Sequence, residues 1–219
     1  MTKLNQSYIG LRKDLLTFIS GESNNVLDVG CAIGSNGKYL LENNFADNVY
    51  GIEFDKVMAQ KASNCLTKVF VGDLNNQDFL KVILENNIKY DYIIFGDVLE
   101  HLINPKKVLN HLKNALKPNG KIIISLPNIA HVELFIQVFI KGTWPQNERG
   151  IFDKTHLRWF TKNDVFKLVT DTNLKIVEYK RKFRSRDAIG SKMSLFYKII
   201  KFLRKDLVTF QHIIVCEHE

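Results

Sequence analysis

Short apolar runs alternate along this chain with stretches in which apolar side chains recur every three or four positions. The runs predict seven β-strands, near residues 26–30, 49–53, 68–71, 91–96, 121–126, 174–183 and 207–216. The helical spacing predicts eight helices, near residues 5–20, 35–43, 55–63, 76–86, 104–116, 129–141, 162–172 and 191–204. Such alternation is typical of an α/β fold in which helices cover both faces of a doubly wound, mostly parallel sheet.

Two of the connections between these elements are longer than a bare sheet requires. One spans residues 127–163 and the other spans residues 185–205. Long connections in compact domains commonly carry function. We therefore expect a single domain over residues 1–219, in which 127–163 forms a small helical lid and 185–205 a basic helical connection.

Two of the predicted helices have an apolar surface that some other surface must cover. The helix near 5–20 carries apolar residues at helical spacing, so we expect it to cover the sheet or a ligand cleft. Residues 132–140 are apolar on nearly every face. We expect that helix to be buried in the lid, although a second subunit or a membrane surface would also cover it.

Composition limits the class of protein. With 219 residues and 45% hydrophobic content, the chain can form one substantial core. It has no uninterrupted apolar window of membrane-spanning length and no signal peptide at its start. Three widely spaced cysteines, Cys31, Cys65 and Cys216, fit reduced thiols better than a disulfide framework or a zinc site. We expect a cytoplasmic protein, with peripheral membrane contact as the alternative.

The net charge of +8 is concentrated in one segment. Residues 180–205 contain ten basic residues and one acid, so the rest of the chain is close to neutral. The helix there has an apolar stripe opposite its lysines, so it either contacts an anionic surface or covers the sheet while its lysines stay solvated. Nucleic acid is not expected as a partner, because no aromatic platform accompanies the charge. A homodimer is left open.

A glycine turn after the first predicted strand is the most informative local feature. Residues 26–34 read Val-Leu-Asp-Val-Gly-Cys-Ala-Ile-Gly, and Glu53 closes the next strand. This layout binds adenosine-containing cofactors at the carboxyl edge of a sheet. A dinucleotide site would need glycine at positions 32 and 35, which here are Ala32 and Ser35. Asp28 beside the turn suits a cationic ligand, such as the ammonium and sulfonium of S-adenosylmethionine.

Four segments follow one another in the order found in class I S-adenosylmethionine-dependent methyltransferases, which the chain resembles. They are residues 26–34, 71–74, 90–102 and 116–125. The resemblance implies a Rossmann-like seven-stranded sheet, mostly parallel, with an antiparallel last strand. It also implies a set of cofactor-binding residues: Asp28, Gly30, Cys31, Ala32, Gly34, Glu53, Phe54, Gly72, Asp73, Leu74, Gly96 and Asp97.

Within that set the resemblance assigns specific roles to two carboxylates. Glu53 would accept the ribose hydroxyls, and Asp73 would face the adenine amino group, with Gly72 allowing close backbone approach. The alternative for any one of these acids is that it caps the following helix. Ala32 departs from the glycine of many relatives, and we expect tighter packing there without loss of binding.

The exit loop of the fourth strand resembles a run in ubiquinone-type and small-RNA 2′-O-methyltransferases. In that comparison Asp97, Glu100 and His101 would hold a divalent cation, which could orient vicinal hydroxyls and lower the pKa of one of them. Many relatives carry the same run without a metal. In those relatives the Glu and His residues only stabilise the loop.

Residues 150–161, together with 128–131 and 141–144, resemble a methyltransferase subgroup associated with glycosyltransferases. His156 has a near-neutral intrinsic pKa and could accept a hydroxyl proton, with Asp153 orienting it. If His156 is not the base, His101 or Asp97 is the next candidate.

Other residues of this run have structural alternatives. Arg158 could pair with an anionic substrate or with a structural acid. Thr161 and Asp164 form the pattern of a helix capping box. Trp159 and Phe160 are expected in the core.

These observations predict an S-adenosylmethionine-dependent enzyme that methylates a hydroxyl of a sugar, a glycan precursor or another small polar acceptor. Transfer to nitrogen and transfer to a quinone-type acceptor stay open. From a different class, a non-catalytic cofactor-binding or membrane-associated partner protein is the alternative, although it would not need the run at 150–161.

Overall fold

A computed structural model describes residues 10–187 and 195–219 of the chain. Its strands form one seven-stranded sheet in the order β3-β2-β1-β4-β5-β7-β6. They are β1 Asn24–Val29, β2 Ala46–Glu53, β3 Lys68–Val71, β4 Tyr90–Gly96, β5 Leu116–Pro127, β6 Leu174–Phe183 and β7 Thr209–His218. All seven predicted strands are confirmed in position.

The helices lie between these strands, as the alternating pattern predicts. They are α1 Lys13–Leu16, α2 Ser35–Glu42, α3 Lys56–Ala62, α4 Gln77–Glu85, α5 Pro105–Leu112, α6 Val132–Leu134, α7 Lys162–Thr170 and α8 Leu195–Leu203. A π-helical turn, Phe135–Ile140, extends α6. Short 3₁₀ turns occupy Leu99–His101, Lys113–Ala115 and Lys205–Val208. Across the described ranges 10–187 and 195–219, no helix has the length and apolar content needed to cross a bilayer.

The strand directions decide which residues meet at one edge of the sheet. Strands β1 to β5 pair in parallel, and β7 runs antiparallel to both β5 and β6. The predicted antiparallel last strand is therefore confirmed. As a consequence, the ends of β1, β2, β4, β5 and β6 and the start of β7 share one edge, where open α/β sheets bind ligands.

Helix starts are fixed locally by side-chain caps. The Asp55 side chain accepts hydrogen bonds from the N–H groups of Val57 and Met58 at the start of α3. Thr161 and Asp164 form the predicted capping box of α7. Each cap satisfies backbone donors that have no partner within the helix, which explains why these sequence positions begin helices.

The central strands are buried on both faces, as parallel strands covered by helices must be. In β4, Ile93 and Phe95 belong to one hydrophobic cluster while Tyr92 and Ile94 belong to the cluster on the opposite face. Successive side chains of a strand point to opposite faces, so one short apolar run contributes to both cores. This packing makes the sheet a rigid platform for its carboxyl edge.

The predicted helix over residues 5–20 is wrong in length within the described part, and residues 1–9 lie outside it. Between residues 10 and 20, only Lys13–Leu16 is helical. The N–H groups of Arg12 and Ser20 donate instead to the side chains of Asn36 and Tyr92. These long-range hydrogen bonds replace helix hydrogen bonds that spacing alone predicts.

Burial of the apolar helix near 129–141 is also wrong. Phe139 is 72% exposed, and Phe135 and Ile140 are exposed as well. Trp159, expected in the core, is 46% exposed, whereas Phe160 is buried as predicted. An apolar composition indicates that cover is needed, but only the tertiary arrangement shows whether this chain supplies it.

Candidate active site

A cavity of about 570 Å³ opens at the carboxyl edge of the sheet. Its wall joins the turns after β1, β2 and β4 to the segment 149–156 and to the facing ends of β6 and β7. The predicted residues in the wall are Gly30, Cys31, Ala32, Glu53, Phe54, Gly96, Asp97, Glu100, His101, Asp153 and His156. The structure therefore brings the candidate cofactor and acceptor residues into one cleft.

The glycine turn after β1 leaves the extended conformation. Gly30 has a φ of +71°, and a Cβ there would lie 2.6 Å from Cγ2 of Val98, so only glycine fits. Ala32 also has a positive φ, of 50°. Alanine at such a position costs backbone strain of about 1 kcal/mol or more, which explains the glycine of many relatives better than packing does.

Glu53 links this turn to the end of β2. Its Oε2 accepts a hydrogen bond from Ala32 N at 2.8 Å, and its Oε1 accepts one from Asp55 N at 2.9 Å. The neighbouring Phe54 lines the cavity although it is 73% exposed. A positioned carboxylate beside an uncovered aromatic ring suits a ribose diol and an adenine ring. This end of the cavity therefore fits the adenosine part of S-adenosylmethionine.

Other predicted cofactor residues lie away from the cavity. Among the described residues, its wall does not include Asp28, Gly34, Gly72, Asp73 or Leu74. A Cβ on Gly72 would overlap the Phe79 ring, so this glycine serves packing. Asp73 Oδ1 accepts hydrogen bonds from Asn75 N and Nδ2 within its own loop.

Asp28 and Cys31 are buried beside the turn. Burial raises the pKa of Asp28 to about 7, despite a hydrogen bond from Asn36 that lowers it. Burial also raises the pKa of the Cys31 thiol, and the nearby acids Asp28 and Glu53 raise it further. A thiol kept protonated in this way is a packing group and not a nucleophile.

Arg12 is a cavity residue that sequence reasoning missed. Its guanidinium pairs with Asp97 and donates to Ser125 Oγ at 3.0 Å. Asp97 also accepts hydrogen bonds from Ser125 Oγ and from Gln211 Nε2. The guanidinium also pairs with Asp14, at 2.9 Å. The sequence does not reveal the role of Arg12 in the cavity, because its partners Asp97 and Ser125 lie 85 and 113 residues away.

Because Asp97 is occupied by these donors, it is poorly placed to act as a base or metal ligand. The potential metal ligands that do converge are Glu100, His101 and His156, whose ligand atoms lie within 4.8 Å of one another. His156, and not the predicted Asp97, is thus the third residue of the candidate ligand set. The contact joins the end of β4 to a loop more than fifty residues later, which periodicity does not reveal.

Glu100 and His156 are buried with unsatisfied polar atoms. Glu100 is 1% exposed, and within the described part of the chain neither of its carboxylate oxygens nor His156 Nδ1 has a hydrogen-bond partner. His156 Nε2 lies 3.9 Å from Glu100 Oε1. Orphaned buried polar atoms are rare in native structures and commonly mark a site for an ion or a ligand.

Burial sets the protonation states of this cluster. It raises the pKa of Glu100 well above its usual value, with a further rise from nearby Asp97. Burial, followed by the neighbouring His101, lowers the pKa of His156 to about 4. The structure therefore moves the pKa of His156 well below its near-neutral intrinsic value. Burial therefore favours the neutral form of Glu100, and it leaves His156 an unprotonated imidazole at pH 7.

The run at 150–161 is held in place mainly by backbone contacts. The N–H groups of Leu157 and Arg158 donate to the Glu100 carbonyl at 2.9 and 3.0 Å. The Arg158 side chain donates to the Ile103 carbonyl, so it stabilises the exit loop and does not pair with an acid. Asp153 Oδ1 accepts hydrogen bonds from Thr155 N and Oγ1.

Comparison with known proteins identifies the family of the chain. Residues 3–179 match the family described as "Methyltransferase domain". The chain is 29% identical over 161 residues to a ubiquinone biosynthesis O-methyltransferase of Rickettsia typhi, covering 71% of this chain and 61% of that protein. It is 29% identical over 171 residues to the enzyme of the same name from Glaesserella parasuis, covering 68% and 70% respectively. The chain thus spans about three fifths of the length of the Rickettsia relative it matches.

A solved structure shares the fold. The crystal structure of an S-adenosylmethionine-dependent methyltransferase from Mesorhizobium loti superposes with a TM-score of 0.60 at 15% identity. The match covers 92% of this chain and 94% of that chain. At this level of identity the similarity concerns the fold alone.

Proposed function

The chain belongs to the methyltransferase domain family of class I S-adenosylmethionine-dependent proteins, and from this premise we propose that it methylates a hydroxyl oxygen of a small polar acceptor. One observation carries the proposal. A single cavity joins the Glu53 carboxylate and the Phe54 ring to an unprotonated, buried His156. The Glu53 carboxylate and the Phe54 ring suit a nucleoside, and the His156 imidazole suits a group that must lose a proton.

The cofactor end of the cavity would hold S-adenosylmethionine through three residues. Glu53 would accept hydrogen bonds from the ribose hydroxyls, and Phe54 would stack on the adenine. Arg12 lines the cleft beside the turn, and although its guanidinium is paired with Asp14 and Asp97, its charge would lie near the methionine carboxylate. When bound, S-adenosylmethionine supplies an activated methyl group on its sulfonium.

At the acceptor end, the residues of the chain position a hydroxyl and remove its proton. His156 is unprotonated at neutral pH and is fixed by its buried loop, so its imidazole can take the proton as the oxygen forms its new bond. Proximity and alignment in the closed cleft supply a further part of the rate.

The relatives bear on the acceptor more weakly than on the family. Two relatives are named as ubiquinone biosynthesis O-methyltransferases, which favours oxygen over nitrogen as the methylated atom. A sugar or glycan acceptor rests on the run at 150–161 alone. We therefore propose a hydroxyl acceptor, and we keep a phenolic ring and a sugar as its two candidate carriers.

Calorimetry tests the cofactor half of this proposal. S-adenosylhomocysteine should bind at micromolar affinity or tighter while NAD does not, because the turn lacks the dinucleotide glycine pattern. Glu53→Ala should weaken binding by about 1–3 kcal/mol, the scale for donors left unpaired. That loss corresponds to a factor of about 5–150 in Kd.

Asp73→Asn is the matched control for Glu53→Ala. Asp73 follows the third strand as Glu53 follows the second, but it lies outside the cavity wall, so its replacement should leave the affinity nearly unchanged. Tight binding of NAD without binding of S-adenosylhomocysteine would contradict the proposal.

A divalent cation would also fit the acceptor end. Glu100, His101 and His156 offer carboxylate and imidazole ligands, and the orphaned oxygens of Glu100 would gain a partner. A cation there would neutralise the buried carboxylate, orient vicinal hydroxyls and lower the pKa of the attacking one. In that arrangement His156 acts as a ligand and the metal replaces the need for an imidazole base.

The basic helix α8 presents apolar side chains to solvent as well as lysines. Phe202 is 87% exposed, and Ile199 and Leu203 are also exposed. Lys198 and Lys201 lie on the same helix. An apolar surface flanked by cations fits an anionic surface better than it fits a helix covering the sheet.

We expect Lys198→Glu with Lys201→Glu to reduce binding to vesicles of anionic lipid at low salt, where electrostatic attraction is strongest. The thermal unfolding midpoint should fall only slightly, because Lys198 is exposed and Lys201 loses one contact, that of its ammonium with the Phe183 ring at 3.8 Å. Neutral vesicles are the control. If the wild type binds neither kind of vesicle, the lysines are only a solvated surface.

A further inference from the structure

Arg184 is a cation in the cleft whose guanidinium forms no ion pair within residues 10–187 and 195–219, although the charge of nearby Asp187 acts on it. It follows the end of β6 and is half-buried in the cavity wall. Its guanidinium carbon lies 3.9 Å from the centre of the Phe210 ring. Within residues 10–187 and 195–219, no hydrogen bond or ion pair to its side chain is present.

Two neighbouring arginines differ from Arg184 in that each forms an ion pair with an acid. Arg181, on the same strand, also stacks on an aromatic ring, that of Tyr179, but it pairs with Asp206 at 3.2 Å. Arg186 pairs with the buried Glu133 at 2.5 Å. In the described structure Arg184 has the aromatic contact but no ion pair, and Asp187 influences it only through longer-range charge. Stacking uses only the face of a guanidinium, so its five in-plane N–H donors are left for another acceptor.

The backbone of Arg184 is fixed on both sides. Its N–H donates to the carbonyl of Val208 at 3.1 Å, and its carbonyl lies 2.8 Å from His131 Nε2. An arginine held in this way loses little further conformational entropy when it binds a ligand.

A second cation stands beside it on the loop that carries the acceptor residues. Arg149 is exposed and also lines the cavity. The Asp187 carboxylate accepts a hydrogen bond from Ile151 N at 2.9 Å and ties this loop to the segment after Arg184. Burial lowers the pKa of Arg184, and the charges of Arg149 and Arg12 lower it further although Asp187 opposes them. Two unpaired cations on adjacent loops attract an anion.

We propose that Arg184, with Arg149 beside it, binds an anionic group of the acceptor, a carboxylate or a phosphate. The inference rests on the proposed function, because it deepens the substrate class of the same cleft. The methionine carboxylate of the cofactor is the other anion to consider. Arg12 is the cation beside the glycine turn, whereas Arg184 packs on Phe210, which contacts Ile151 and Phe152 of the acceptor loop.

Matched ligand pairs test the proposal on protein saturated with S-adenosylhomocysteine. The pairs are catechol with 3,4-dihydroxybenzoate, and glucose with glucose 6-phosphate, each titrated by calorimetry at low salt. The anionic member of at least one pair should bind about tenfold or more tightly than its neutral partner, as a charge-assisted hydrogen bond predicts. The pair that responds distinguishes a carboxylate from a phosphate.

Variants then locate the preference. Arg184→Gln should remove it, and Arg184→Lys should keep part of it, since the charge stays while the planar fork is lost. Arg181→Gln is the matched control and should keep the full preference. S-adenosylhomocysteine should bind Arg184→Gln as tightly as it binds the wild type.

Each contrary result has a distinct meaning. Equal binding within both pairs, no binding of either anionic member, or a preference that survives Arg184→Gln would overturn the inference. Weaker S-adenosylhomocysteine binding in that variant would assign Arg184 to the cofactor, which also overturns the inference.

If the variant does not fold, inorganic phosphate must displace the anionic ligands from the wild type but not the neutral ones. A wild type that does not bind S-adenosylhomocysteine at all would instead defeat the proposed function.

Discussion

Replacing His156 with alanine should lower kcat by about 10²–10⁴, the range expected when one general base is lost. Cofactor affinity should stay nearly unchanged, because the proposal assigns the cofactor to the loop of Glu53 and Phe54 after β2, whereas His156 belongs to the separate loop after β5. Steady-state kinetics with a methylated acceptor and calorimetry with S-adenosylhomocysteine measure the two quantities. His111→Ala is a suitable control, since this histidine lies on α5 outside the cavity wall.

The pH profile adds a readout that a purely structural histidine would not change. Burial lowers the pKa of His156 to about 4, so the imidazole can accept a proton at any pH above that value. The wild-type rate should therefore rise with pH through about 4 and be flat near neutrality as far as His156 is concerned. If His156 only stabilises the loop, the alanine variant should instead raise KM more than it lowers kcat and should unfold at a lower temperature.

If the acceptor end holds a divalent cation, so that His156 is a ligand and not the base, replacing Glu100 with glutamine should abolish cation binding while leaving the fold intact. Burial raises the pKa of Glu100 and favours its neutral form, so the isosteric amide should replace it at little cost to stability. In the wild type, Mg²⁺ or Mn²⁺ should raise the free energy of unfolding, by about 2.7 kcal/mol at a concentration 100 times Kd. Thermal unfolding of EDTA-treated protein, with and without added metal, measures this difference.

Asp97→Asn distinguishes the two possible ligand sets. The structure commits Asp97 to Arg12, Ser125 and Gln211, so the asparagine variant should still respond to metal. A response lost in Asp97→Asn but kept in Glu100→Gln would restore the ligand set expected from the sequence. Full activity of the wild type in EDTA, without any thermal shift on adding metal, would remove the metal and leave His156 as the base.

The sequence alone was sufficient to locate the strands and the glycine turn that lines the cavity. Each strand is a short apolar run bounded by polar or turn residues, and β3 coincides with its predicted range. Gly30 and Glu53 follow strand ends, and residues at strand ends of a parallel sheet meet at one edge. These features depend on neighbours in sequence and on a period of two, which can be read from the chain itself.

The sequence was less informative about the acceptor end, where contacts join distant segments. It placed Asp97, Glu100 and His101 together because they are adjacent, whereas the structure turns Asp97 toward Arg12 and brings His156 to Glu100. The residue type alone predicts a near-neutral pKa for His156, because the effect of burial on that pKa depends on the tertiary structure. The apolar residues 135–140 were likewise expected to be buried, but Phe135, Phe139 and Ile140 are exposed in the described structure.

Local pattern therefore determined which residues form strands, which turn carries the glycines and which family the chain resembles. Only the tertiary structure decided that Asp97 pairs with Arg12 and that Arg184 lies over the Phe210 ring. It alone shows that, in the described part of the chain, side-chain atoms of Glu100 and His156 lack hydrogen-bond partners and Arg184 forms no ion pair. The physical reason is that secondary structure follows from short-range periodicity and capping, whereas charge and protonation depend on burial and on long-range partners. Those partners are fixed only when the connections after β4, β5 and β6 pack against one another at the edge of the sheet.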